Sequence, residues 1–146
     1  MSYAVSGALQ AAIYEALLAD AALVALVGNS IYDAVPAGNV PELYVRLGTE
    51  TVRGASDISG AGAAHFLTVS VITTNPGFAS AKAAATAVSD ALHDAPLELA
   101  RGRLVSLRFE RAAAKRVDAG SGRQIDLRFR ARVQDDLSTQ NGSLEE

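Results

Sequence analysis

Apolar residues recur through the first part of the chain at helical spacing. Leu9, Ile13, Ala16 and Leu17 stand three or four positions apart, which puts them on one face of a helix, and Ser6 is placed to cap its start. Asp20 can cap a second, shorter helix with apolar positions Leu23, Leu26 and Val27, and Gly28 can end it in the left-handed conformation. Ile31 to Val35 reads as a short extended piece stopped by Pro36. Leu43 to Thr51 alternates weakly, as a strand does.

The pattern then lapses. Arg53 to Ala63 (RGASDISGAGA) has three glycines, two serines and almost no apolar anchor, so it reads as a flexible loop of functional length. His65 to Thr74 is a strand, with Leu67, Val69 and Val71 on one face and Phe66, Thr68, Ser70 and Ile72 on the other. Asn75-Pro76-Gly77 breaks it. Phe78 to His93 returns to helical spacing, and its stripe of Ala81, Ala84, Ala85, Val88 and Leu92 is small enough to lie close against a sheet.

A long β-hairpin closes the ordered part. Val105, Leu107 and Phe109 alternate with Ser106, Arg108 and Glu110. After the turn Asp118 to Gly122, Ile125, Leu127, Phe129, Ala131 and Val133 alternate with Asp126, Arg128, Arg130 and Arg132. Folding about Gly120 sets Glu110 opposite Arg130 and Arg108 opposite Arg132. Arg111 and Lys115 then land on the apolar face, which predicts a bulge or an arm projecting past the sheet. The element order predicts an α+β fold: one domain over 1–135, with a mixed or antiparallel sheet of about four strands, two to three helices on one face, and the hairpin last. Residues 136–146 (DLSTQNGSLEE) read as a disordered acidic tail.

Composition narrows the chemistry. With 146 residues, 49% apolar but only 5% aromatic and without Trp, the core must be built from Ala, Val, Leu and Ile. Cys is absent, which excludes disulfides, thiolate metal sites and cysteine nucleophiles. The longest apolar run, Ala21 to Val27, is far shorter than the ~20 residues that span a bilayer, and the N-terminus lacks the basic region of a secretory signal. A soluble protein without a membrane partner is expected. The net charge of −3 is unevenly divided: residues 1–100 carry −6, residues 101–132 carry +7 with nine Arg, and residues 133–146 carry −4. Such segregation argues for an oriented surface.

Catalytic candidates are weak. His65 opens a strand and His93 ends a helix, where surface or capping roles are the default. Asp90 and Asp94 share a solvated helix face. Gly60-Ala61-Gly62 lacks the Lys-Ser/Thr of a phosphate loop, and Gly120-Ser121-Gly122 is a turn. No convergent site emerges, so the expectation is a non-enzyme without metal or cofactor.

The arginine face is the best non-structural signal: Arg108, Arg128, Arg130 and Arg132, with Glu110 among them. It reads as a solvated sheet face with cross-strand pairs to Glu110 and Asp126, as a subunit or partner contact, or as a nucleic-acid contact. The last reading lacks exposed aromatics, because Phe109 and Phe129 point the opposite way. Phe66 and Ile72 on the outer face of their strand imply either a covering helix or a neighbouring subunit.

The order and wording of these segments resemble the tail-completion (tail-terminator) proteins of long-tailed phages and phage-like particles. The segments are the first helix, Asp20 to Gly28, Ile31-Tyr32-Asp33-Ala34-Val35-Pro36, Tyr44-Val45, Leu67 to Thr74, Pro76-Gly77-Phe78 before an alanine-rich helix, and a hairpin with Asp118, Gly120, Arg123 and Phe129. Small size, high alanine content and arginine bias suggest a member from a GC-rich bacterium, such as a gene transfer agent. The resemblance implies a virion structural protein, made in the host cytoplasm, that forms a hexameric ring at the head-proximal end of the tail. The ring would stop tube polymerisation, meet the tube protein on one face and a neck or stopper protein on the other, and pass DNA through its lumen without sequence-specific binding. Arg53, Ser56, Asp57 and Ile58 of the loop, Phe66 and Ile72, and the arginine face are the expected interface residues. A neck adaptor, stopper or tube subunit is the alternative, and a nucleic-acid-binding module the more distant one.

Overall fold

A computed structural model describes residues 3–54 and 62–135. The helices are α1 (Ser6–Ala19), α2 (Ala21–Val27) and α3 (Ala79–Leu92), and the strands are β1 (Ile31–Tyr32), β2 (Leu43–Gly54), β3 (Gly62–Thr73), β4 (Arg103–Val117) and β5 (Gly122–Gln134). They form one five-stranded sheet in the order β1-β2-β3-β5-β4. Only β1 runs parallel to its neighbour. The helices cover one face, so the domain is the expected α+β fold with one strand more than the approximate count of four. The extra strand is the two-residue β1, which is all that pairs from the extended piece before Pro36.

The core lies between helices and sheet and is aliphatic, as the composition requires. Leu9, Ile13 and Leu17 of α1, Leu23 and Val27 of α2, and the Ala81, Ala84, Ala85, Val88, Leu92 stripe of α3 meet Val45, Val69, Val71, Leu127 and Phe129. Phe129, the largest fully buried side chain, sits on the central β5. No described helix is long and apolar enough to cross a membrane.

Local chemistry sets both ends of α2. Asp20 caps α2 by accepting a hydrogen bond from Leu23 N–H at 3.0 Å, and Gly28 ends it at φ +61°. Two expectations fail here. Ser6 does not cap α1; it is the first helical residue, and its hydroxyl is taken by Glu50 at 2.8 Å. Leu26 faces solvent with Val24, because a helix of seven residues has room for one buried stripe, which Leu23 and Val27 fill.

The strands run further than the pattern suggested. Arg53 and Gly54 pair with Ala64 and Ala63, so both ends of the expected loop 53–63 are ladder. Ser56, Asp57 and Ile58 lie outside the described residues, as does the segment 136–146.

The hairpin departs most from expectation. Val117 pairs with Gly122 across a turn of four residues, and β4 carries irregularities between Leu104 and Ser106 and between Phe109 and Arg111. Each inserts one extra residue, and an inserted residue flips the facing of everything beyond it. Arg108 therefore faces Arg130, not Arg132, and Arg132 faces Ser106. The bulge at Glu110 turns Arg111 and Lys115 onto the polar face opposite Arg128 and Gln124, and turns Ala112 and Ala114 to the helix side opposite Leu127 and Ile125, where both stay exposed. The bulge at Val105 leaves that side chain 45% exposed. No arm projects, because β5 pairs with β3 from Arg123 to Gln134.

Strand β4 is a sheet edge, and α3 blunts part of it. The Phe109 N–H donates to His93 Nδ1 at 2.9 Å, and the Asp94 N–H donates to the Leu107 carbonyl at 2.7 Å. The two residues that end the helix thus satisfy the edge where another strand would add.

Candidate functional site

The helix-free face of the sheet is the candidate interface. Register places Arg46 beside Ser70, Thr51 beside Phe66, Phe66 beside Arg130, Thr68 beside Arg128, and Arg130 beside Arg108. These residues come from four strands, and the alternation of each strand turns them to the same side. Of the sequence-predicted residues, Arg53, Phe66, Ile72, Arg108, Glu110, Arg128, Arg130 and Arg132 all belong to strands of this one sheet.

Phe66 stands at its centre. The guanidinium carbons of Arg53, Arg128 and Arg130 lie 5.0, 4.9 and 6.0 Å from the ring centroid. Within the chain, among the described residues, no helix covers Phe66; three cations stand over the ring, with planar guanidiniums held against its electron-rich face. Ile72 lies further along the strand between Tyr44 and Gln124 and is 8% exposed.

The two carboxylates of this face are engaged. Glu110, displaced by the bulge, brings Oε1 to 2.9 Å from Arg128 Nε, close enough for charge attraction though not aligned as a hydrogen bond. Its expected partner Arg130 is one register step away. Asp126 accepts hydrogen bonds from Ser70 Oγ at 2.6 Å and Gln124 Nε2 at 2.7 Å, and lies 3.3 Å from Lys115 Nζ. Burial alone would push the Asp126 carboxyl up, but these donors and the Lys115 charge hold it below its ordinary value. An open groove of about 870 Å³ runs across the face, bounded by Arg46, Arg111 and Arg128 and floored by Thr68, Ser70 and Gln124.

A second polar cluster lies on the helix side, where the residue pattern left no sign of it. His65 is fully buried, correcting its expected surface position, because it shares the inward face of β3 with Leu67, Val69 and Val71; the bulge between Leu47 and Glu50 turns Glu50 toward it. His65 Nδ1 lies 2.9 Å from Glu50 Oε2, and since a carboxylate only accepts, Nδ1 carries the proton. Glu50 Oε1 accepts from Ser6 Oγ at 2.8 Å and Tyr3 OH at 3.0 Å. Burial raises the Glu50 carboxyl, but bonds from His65, Ser6 and Tyr3 outweigh it and set the group below its ordinary value. Ser, His and Glu are the residue types of a hydrolytic triad, yet the order is wrong for one. Ser6 binds the carboxylate rather than the imidazole, and His65 Nε2 is buried with no partner among the described residues. The cluster ties the start of α1 to the sheet. Among the described residues, no group of three His, Asp or Glu side chains converges as a metal site.

Comparison with known proteins bears on this geometry. No curated protein matches the chain. A chain in the structure of the virion of a native gene transfer agent particle is 62% identical. The alignment covers 91% of this protein and 99% of that chain, with a TM-score of 0.87. The model of the tail completion protein gp17 family matches residues 11–134, which include every helix and strand except the first turn of α1. This chain therefore belongs to the tail completion protein gp17 family.

Proposed function

We propose that this protein is a virion component that terminates a phage-like tail. Copies assemble as a ring at the head-proximal end of the tail tube, stop its polymerisation, and join it to the neck while DNA passes through the lumen. The observation that carries this reading is the family match across 11–134, together with 62% identity to a chain in a gene transfer agent virion. A structural role also suits the surface. The carboxylates Glu50, Glu110 and Asp126 are engaged within the chain, while apolar side chains stand exposed on α2 (Val24, Leu26) and β4 (Val105, Phe109), where a subunit contact could cover them.

Electron microscopy of particles from a producing strain lacking this gene tests the proposal. Unattached heads with tails of overlong or uncontrolled length are expected. Normal-length tails would move the protein to a neck adaptor or stopper, and a complete absence of tails would make it part of the tube.

A further inference from the structure

The two sides of this domain carry opposite charge. On the open sheet face, Asp126 and Glu110 are occupied by Lys115 and Arg128, which leaves Arg46, Arg53, Arg111 and Arg130 without a carboxylate partner among the described residues. On the other side, Lys82 is the only basic residue in α1, α2 and α3. Glu15 and Asp90 on those helices and Glu98 just beyond are exposed and have no cationic partner among the described residues.

We infer that the arginine face around Phe66 docks the acidic helical side of a second copy of this chain. The inference deepens the ring reading above and rests on it. Stacking on Phe66 holds Arg53 and Arg128 in place before any partner arrives, so less side-chain freedom is lost on docking than from a face of free lysines. DNA fits this face less well. The chain's net charge of −3 opposes a polyanion, and the guanidiniums already occupy the face of Phe66, the aromatic ring at the centre of the arginine cluster. Each copy supplies both a basic and an acidic side, so the contact is head-to-tail, the kind that propagates until it closes into a ring or runs on as a filament. His93 and Asp94 cap the β4 edge at Phe109 and Leu107, which blocks strand addition along that stretch.

Sedimentation velocity of the full-length protein and three variants tests the pairing. One variant reverses the basic face (Arg46→Glu, Arg111→Glu, Arg130→Glu), one reverses the acidic side (Glu15→Lys, Asp90→Lys, Glu98→Lys), and the third combines both. The wild type should oligomerise at low salt and weaken at least tenfold in ~0.5 M salt, where screening is nearly complete beyond ~4 Å. Each single reversal should leave monomers, an equal mixture of the two should assemble with the two variants alternating, and the combined variant should assemble again. Restoration by the combined variant also shows that the substitutions leave the fold intact. Neutral sets (Arg→Gln, and Glu→Gln with Asp→Asn) should weaken assembly about tenfold without creating repulsion.

A wild type that stays monomeric at low salt overturns the inference. So does assembly that ignores both reversals, or wild-type binding of duplex DNA that the basic-face variant abolishes. The deletion phenotype separates the two readings. Overlong tails alongside charge-insensitive assembly would sink the docking surface alone, and normal tails alongside charge-swappable oligomers would sink the terminator alone.

Discussion

Replacing Glu50 with alanine should destabilise this protein more than its place on a surface-reaching strand suggests. The carboxylate accepts from His65 Nδ1, Ser6 Oγ and Tyr3 OH, and its side chain is only 19% exposed. Bonds to a charged acceptor contribute ~1.5–3 kcal/mol each when buried. The Tyr3 bond is exposed and adds little, and solvent reaching Glu50 lowers the other two toward the bottom of that range. The larger cost falls on His65, which is 0% exposed and already has one unpartnered nitrogen. Removing the carboxylate orphans the second, at ~1–3 kcal/mol. The expected loss is about 2–4 kcal/mol, read as a lower urea midpoint at an unchanged m-value. Glu50→Gln is the control. Its amide still accepts from Ser6 and offers a partner to His65, so it should lose only ~1 kcal/mol. An alanine variant within ~0.5 kcal/mol of wild type, or a glutamine variant as damaged as alanine, would refute the view that this carboxylate holds the start of α1 to the sheet.

Three further outcomes follow from the same geometry. Glu50 and Asp126 both titrate below their ordinary values of 4.5 and 3.8 in the folded protein, so the stability they contribute is complete above those values and lost as pH falls through the lower folded ones. Thermal midpoints should drop as the pH falls from about 4.5, and the Glu50→Gln/Asp126→Asn double variant should flatten that drop. Gly102→Ala should cost ~2–4 kcal/mol by chemical denaturation: its φ is +77°, and a Cβ there would meet the Gln134 carbonyl at 2.6 Å and Val5 Cγ2 at 2.9 Å. Ala84→Leu should lower stability by ~1–3 kcal/mol, because Ala84 is 0% exposed on the helix face that lies against the core.

Periodicity alone determined much of this molecule. The alanine stripe of α3, the Asp20 cap and Gly28 stop of α2, the alternation of β3 and β5, and the single α+β layer pair are set by residues within a few positions of one another, where the 3.6 and 2.0 repeats act directly. The residues of the arginine face were legible for the same reason, since alternation along β5 dictates that Arg128 and Arg130 share a side. What they touch was not. Two bulges in β4 and one in β2 decide which cross-strand neighbours meet, and a bulge depends on how two distant strands fit over a common core. For that reason Glu110 meets Arg128 instead of Arg130, and Arg111 and Lys115 turn to the polar side. His65 is sealed against Glu50 fifteen residues away, and Phe66 finds its cover in guanidiniums from β2 and β5. Local pattern chose the faces of each element; only tertiary packing, by setting the register between strands, chose the partners.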